Sequence, residues 1–280
     1  MKNRVFYLVL CFVSFSMSLL GFADIREIKS MKELEPSVDQ DTLVVFDIDN
    51  TLISPQGNFG SDQWFYYLYK IYKINGLSDA EIAKKAMSTW NESQWITNVQ
   101  AVEKDTPAMV SKFQKAGIQT VALTARELAI AERTVSQLKS IGVSFKETAL
   151  KKASLKISKE DLKTQDDAVM RDGIVYVGES NTKGNVLVTL LKKLNLKPKK
   201  IVFVDDRVKH VVGMEKALTQ ENIPHIAFRY GALDERVGAF NKTMDEVLDQ
   251  GTAQLFLLGQ MIPSEKSRIQ KAQSILTQSP

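Results

Sequence analysis

The stretch Val44-Val45-Phe46-Asp47-Ile48-Asp49-Asn50-Thr51-Leu52 narrows the folds open to this chain more than any other. A strand of a parallel sheet is covered by helices on both faces, so it reads as a short, continuous apolar run. This run ends abruptly in two carboxylates spaced two apart, then Asn-Thr. In open α/β sheets, ligands bind just outside the carboxyl ends of the strands. Asp47 and Asp49 are therefore expected at the functional edge of a sheet. Taken alone, Asp-x-Asp after a strand reads more simply as a polar turn. The rest of the chain changes the odds.

The pattern recurs downstream. Ile118 to Leu123 is a second apolar run and ends in Thr124-Ala125-Arg126. Ile174 to Val177 is a third, followed by a polar turn in which Lys183 precedes a helix over 185–194. Ile201 to Val204 is a fourth, ending in Asp205-Asp206-Arg207, and Ile226 to Phe228 a fifth. Helical patterns fill the gaps, from Pro107 to Gly117, from Glu127 to Ser140 and on to about Gln220. Such alternation predicts an α/β fold, a Rossmann-like doubly wound parallel sheet. Residues 24–41 read as a polar, partly helical lead-in. The charged stretch from Lys151 to Asp172 reads as either a short hairpin or an irregular excursion, and Asp172-Gly173 is a hairpin turn signal. From Leu233 onward the pattern is mainly helical, through Val247, 255–258 and 269–276.

A small helical cap is expected after the first strand, over residues 54–104. Ser61 or Asp62 caps a helix carrying Trp64, Phe65, Tyr66, Tyr67, Tyr69 and Tyr72. A helix apolar on nearly every face is usually buried between two bodies. Ser78 with Glu81 three residues on is a capping-box signature for a second helix. Core packing explains most of these aromatics, with a substrate platform as the alternative. The core domain would then comprise 24–53 and 105–280.

Residues 1–23 read as a secretory signal. Lys2 and Arg4 precede a mostly apolar run to Leu20, and Gly21-Phe22-Ala23 places small residues where a signal peptidase cuts. The run is short for a membrane-spanning helix, which needs about 20 residues. The expected location is periplasmic or secreted, with membrane contact only during export. Cys11 is the only cysteine, so the chain after Ala23 lacks disulfides, thiolate metal sites and a Cys nucleophile. Lys and Arg number 37 against 33 Asp and Glu, and two of the basic residues lie in the first four positions. This near balance gives no reason to expect a nucleic-acid partner.

The polar strand ends form a set: Asp47, Asp49, Thr124, Lys183, Asp205 and Asp206. Crowded carboxylates repel unless a cation joins them, and oxygen donors suit Mg²⁺. A hydroxyl, a lysine and a helix N-terminus in one place suit a phosphoryl group. One carboxylate can act as nucleophile and its neighbour as acid/base.

These features resemble the four motifs of the haloacid dehalogenase-like (HAD) superfamily: Asp47-Ile48-Asp49-Asn50-Thr51, Thr124 after an apolar strand, Lys183 before a helix, and Val204-Asp205-Asp206. The resemblance spans roughly residues 42–230. Together with the leader, Thr124-Ala125-Arg126 and Lys183-Gly184 look like a group of exported bacterial HAD proteins known mainly as a domain of unknown function. The resemblance implies a Mg²⁺-dependent phosphomonoester hydrolase acting on a small phosphorylated substrate. Asp47 would be the nucleophile that forms an aspartyl-phosphate, and Asp49 the acid/base. Thr124 and Lys183 would hold the phosphoryl oxygens. The metal would be bound by Asp47, the Asp49 main-chain carbonyl and Asp205. Asp206 is open between metal ligand and partner of Lys183. Arg126 and Arg207 are expected to pair with acids, with substrate contact a minor option for Arg126. His210 and His225 read as structural. Lys151, Lys152 and Lys156 could compete for the role of Lys183. A catalytically inactive binding protein of the same fold, or a phosphotransferase, are the alternatives.

Overall fold

The computed structural model describes residues 25–249. The leader and the helical expectations at 255–258 and 269–276 lie outside the described residues. The lead-in differs from expectation, because it opens with a strand, β1 (Ile25–Ile28), before a 3₁₀ turn at Met31–Ser37. The strand is four residues long, and only Ile28 is buried. An edge strand with one buried residue leaves almost no periodic signal. The 3₁₀ turn is closed by a capping box between Ser30 and Glu33.

The central strand, β2 (Thr42–Phe46), is buried throughout. Its side chains alternate between two cores. Val44 and Phe46 face one cluster, and Leu43 and Val45 face the other. The chain then leaves the sheet through β3 (Ile53–Pro55), crosses α1 (Asp62–Ile74) and α2 (Asp79–Gln94), and returns through β4 (Val99–Ala101). β3 and β4 pair antiparallel as a two-stranded stalk beneath the helices. Ser61 caps α1 by accepting from the Trp64 N–H, and the Ser78–Glu81 capping box opens α2.

α3 (Thr106–Lys115) leads into β5 (Gln119–Thr124), and α4 (Ala131–Ser140) follows after a 3₁₀ turn at Leu128–Ile130. The charged stretch resolves into an antiparallel excursion. β6 (Leu155–Ile157), the single-turn α5 (Lys159–Leu162) and β7 (Ala168–Arg171) lead to β8 (Ile174–Tyr176). Asp172 and Gly173 both have positive φ, as the tight hairpin turn between β7 and β8 demands. α6 (Lys183–Leu194), β9 (Lys200–Asp205), α7 (Val208–Gln220), β10 (His225–Tyr230) and α8 (Asp234–Asp249) complete the chain.

The eight-stranded sheet has the order β1-β10-β9-β2-β5-β8-β7-β6. Every pair from β1 to β8 is parallel; only the β8-β7-β6 end is antiparallel. This is the Rossmann-like α/β sheet the alternation predicts. α3 and α4 pack on one face through residues such as Met109, Phe113 and Leu138. α6 and α7 pack on the other through Leu187, Leu190, Val211 and Met214. The order reverses between β2 and β9, so the switch-point crevice lies between the ends of these strands.

A third apolar cluster lies away from the sheet. It joins Trp64, Tyr67, Leu68, Ile71 and Trp90 of the inserted helices to Phe240 and Met244 of α8. Of the α1 aromatics, Trp64 and Tyr67 are buried, and Phe65, Tyr69 and Tyr72 pack partly buried against the same cluster. Tyr66 is exposed, at 41%. No helix among the described residues is long and apolar enough to cross a membrane.

Candidate active site

The register of β2 sets the site. Phe46 lies opposite Val204, and the Asp47 N–H continues the ladder by donating to the Val204 carbonyl at 3.0 Å. Asp47 and Asp205 thus end neighbouring strands at the switch point. Asn50, at φ 55°, then turns the chain back sharply, with the Asn50 N–H donating to the Ile53 carbonyl. Asn tolerates the left-handed region better than most residues. The turn keeps Asp47, Asp49 and Thr51 within one short loop, and the Thr51 hydroxyl donates to Asp47 Oδ2 at 3.0 Å.

Lys183 is the first residue of α6, whose N-cap Thr182 accepts from the Asn185 N–H. Gly184 lets α6 approach α7, because a Cβ there would lie 2.6 Å from the Ala217 Cβ and 2.7 Å from the Gly213 carbonyl oxygen. The lysine is 3% exposed. Its ammonium donates to Asp47 Oδ1 and, at 2.6 Å, to Asp205 Oδ2. Lys151, Lys152 and Lys156 do not share this place. Lys152 pairs with Glu147 and Lys156 with Asp167, and Lys151 is exposed in the loop before β6.

Two carboxylates share this single buried ammonium, and a third, Asp206, lies beside them. Oxygens of Asp47, Asp205 and Asp206 lie within 4.8 Å of one another. Burial pushes the Asp47 carboxyl up to about 7; Lys183 opposes the rise and Asp205 adds to it. Burial, then Asp205, pushes Asp206 well above the ordinary carboxylate range. Asp205 is also fully buried, yet Lys183 and His210 hold it below that range. Its Oδ1 also accepts from the Arg207 N–H at 2.8 Å. Lys183 stays charged because the two carboxylates outweigh the penalty of its burial. Asp206 forms no bond to Lys183. Among the described residues its Oδ2 accepts only from Asn50 Nδ2, at 3.4 Å, so it belongs with the carboxylate cluster. An all-oxygen cluster with one cation for three acids fits a hard divalent ion.

Asp49 has a different cation. Arg126 grips it bidentately, Nε to Oδ2 and Nη2 to Oδ1, both at 2.8 Å. The remaining Arg126 nitrogen donates to Thr134 and Gln137. The expectation that Arg126 and Arg207 pair with acids is met: Arg207 donates to Asp62 Oδ2 at 2.7 Å. Thr124 ends β5 on the same sheet edge, and its hydroxyl accepts from the Arg126 N–H at 3.1 Å. No bond from Thr124 to Asp47 or Lys183 is present among the described residues.

His210 is where sequence reasoning fell short. It sits in the first turn of α7 with Nδ1 3.1 Å from both oxygens of Asp205. It braces the acidic cluster. Its position five residues after Asp205, on the helix that strand leads into, was the available signal. His225 caps nothing in the site; its Nδ1 faces the Ile223 carbonyl.

Fold and site together give an α/β protein whose strand-end residues resemble the four motifs of the HAD-like class, placed at the ends of adjacent parallel strands. The chain belongs to the family described as "Protein of unknown function (DUF2608)", whose model matches residues 27–258. An uncharacterized protein of Rickettsia prowazekii is 25% identical over 81% of this chain and 84% of its own length. A protein of Chlamydia trachomatis named "Putative outer membrane protein" is 23% identical over 80% of this chain and 84% of its own. Among solved structures, a haloacid dehalogenase-like hydrolase from Streptococcus pneumoniae is 15% identical, covering 67% of this chain and 94% of that one, with a TM-score of 0.40. A hydrolase from Pseudomonas syringae is 12% identical, covering 71% and 98%, with a TM-score of 0.39.

Proposed function

We propose that this protein is an exported, Mg²⁺-dependent phosphomonoester hydrolase. The observation that carries the reading is the Asp47–Lys183–Asp205 cluster, with Asp206 uncompensated beside it, at the switch point of the sheet. A purely structural polar core would balance its charges.

Asp47 is the nucleophile. Thr51 and Lys183 fix its two oxygens, so the carboxylate is aimed before substrate arrives. Lys183 offsets the charge that grows on the phosphoryl oxygens, and the Thr124 hydroxyl offers a further donor from the next strand. Asp47, Asp205 and Asp206 would hold Mg²⁺, joined by the main-chain carbonyl of Asp49. The ion, when bound, neutralises charge on the phosphoryl group and its nucleophile. Asp49 protonates the leaving alcohol and then takes a proton from the water that hydrolyses the aspartyl-phosphate. With both oxygens accepting from Arg126, Asp49 is arranged for the second of these tasks. The first requires one guanidinium bond to yield to a proton.

Export is supported by the leader pattern at residues 1–23 and agrees with the name carried by the chlamydial relatives. The test of the enzyme is hydrolysis of p-nitrophenyl phosphate by the chain from Asp24 onward, with Mg²⁺ and with chelator, beside Asp47→Asn. The expected result is metal-dependent turnover that vanishes in the variant. Turnover that survives Asp47→Asn refutes the nucleophile. Metal binding without turnover points to the inactive binding protein, and phosphate appearing on an added alcohol points to a phosphotransferase.

A further inference from the structure

A cavity of about 410 Å³ lies where the loop after β3 meets α8. Gln56 and Gly57 line it from the loop, and Arg236, Ala239, Phe240 and Thr243 from the helix. The last four recur at helical spacing and form one face of α8. Val237 and Asn241, on another face, border the acidic crevice beside Asp206. The cavity is therefore separate from the carboxylate cluster, and none of its lining residues is acidic. Its volume falls in the range of small-molecule sites, about 300–1,000 Å³.

Arg236 is partly buried here without a counter-ion. Its guanidinium pins the loop. Nη2 donates to the Pro55 carbonyl at 2.9 Å and to the Gly57 carbonyl, and Nη1 reaches Ser54 Oγ at 3.5 Å. All three partners are neutral. Among the described residues no carboxylate pairs with Arg236, and its Nε makes no hydrogen bond. Arg126, Arg207 and Arg229 each hold a carboxylate. Arginine is seldom withdrawn from water without such a partner. Burial lowers Arg236 from the ordinary arginine range; it acts on Arg207 too, but there the facing Asp62 turns the shift upward. Arg236 also stands in the first turn of α8, where the helix dipole disfavours a cation.

We infer that this cavity binds a small oxyanion, a phosphate or carboxylate group, on the open Nε edge of Arg236 with the Gln56 amide beside it. An oxyanion fits that planar edge and leaves the carbonyl bonds in place. Bound there, it reinforces the joint between the loop that leads into α1 and the helix that packs on α1 through Phe240 and Met244. The inference does not depend on the hydrolase reading.

The experiment is calorimetric titration with inorganic phosphate and with acetate, in chelator and at fixed ionic strength, so that neither turnover nor metal enters the reading. The proteins are the wild type, Arg236→Gln and Ala239→Glu. Ala239 is exposed and lies three positions after Arg236, so a glutamate there sets a carboxylate beside the guanidinium while the carbonyl bonds stay. A single anion should bind the wild type, and its affinity should fall about tenfold or more in both variants, the loss expected for a charge-assisted bond. In buffer free of oxyanions, Ala239→Glu should melt above the wild type, because it carries its own counter-ion. Tighter binding of phosphate assigns a phosphorylated ligand and tighter binding of acetate a carboxylate; either supports the site. Absence of saturable binding of both anions overturns it, as does binding equal in all three proteins. Ala239→Glu melting no higher than the wild type also overturns it, since Arg236 then has no unmet charge. If Arg236→Gln fails to fold, Ala239→Glu alone decides.

Discussion

The loop after β2 holds two acidic residues two positions apart, and their surroundings have opposite characters. Asp47 shares one lysine with Asp205 while Asp206 stands close by without a cation. Asp49 has a guanidinium to itself, and that guanidinium is further satisfied by Thr134 and Gln137. The first arrangement is short of positive charge and can accept a cation or a phosphoryl group only by changing its partners. The second is closed, with each donor matched. Carboxylates of the same sheet edge therefore differ: one cluster is short of positive charge, and the other holds one side chain in place.

Breaking the first side should cost most. Lys183→Met removes the only ammonium from the acidic cluster, so hydrolysis should fall by about 10²–10³-fold. The melting temperature of this variant should also rise more steeply with added Mg²⁺ than that of the wild type, because the carboxylates then depend on the ion alone. A scan of melting temperature against Mg²⁺ checks this; no rise in either protein would show that the cluster does not bind the metal.

Breaking the closed side should appear first as stability. Arg126→Met leaves Asp49 without a partner and should destabilise by about 3 kcal/mol, the low end for a broken buried pair. Asp49 keeps 18% of its side chain exposed, which softens the loss. Denaturant unfolding measures it, and Asp49→Asn in the same chain should restore part of the difference.

A smaller effect separates the bracing of the cluster from its ligands. His210→Ala should weaken Mg²⁺ binding by about tenfold while leaving the fold intact, as loss of a group supporting a ligand does. Titration with Mg²⁺ followed by calorimetry reads this directly.

The smallest effect lies at the rim, where Arg229 grips Asp234. The hydrogen bond from Arg229 holds the Asp234 carboxyl below its ordinary range. Its contribution is therefore full above the unfolded carboxyl value and is lost as pH falls through the folded one. Asp234→Asn should lower stability by under about 1 kcal/mol at neutral pH and flatten part of the acid-side loss. Melting curves from neutral to acid pH check the sign.

The core of this fold could be read from sequence because its strands are buried on both faces and its motifs sit at their ends. Val44 to Phe46 and Ile201 to Val204 need no context to be recognised as such strands. β1 could not be read, since its pairing with β10 is set by backbone bonds and only Ile28 enters the core. The acidic residues of the site were legible for the same reason as the strands. The contacts of Arg126 and His210 were not, because they depend on where α4 and α7 pack. Asp49 and Arg126 lie 77 positions apart in the chain, and only the folded sheet brings them together.

The placement of Phe240 and Met244 has a consequence for biosynthesis. Trp64, Tyr67 and Trp90 are made early, but the side chains that complete their apolar cluster belong to the last described helix. Domains generally fold from the N-terminus as the chain emerges. Here the aromatic helices gain their last apolar partners only once residues 240–244 have been made, so this cluster is completed later than the parts of the sheet core that precede it in the chain.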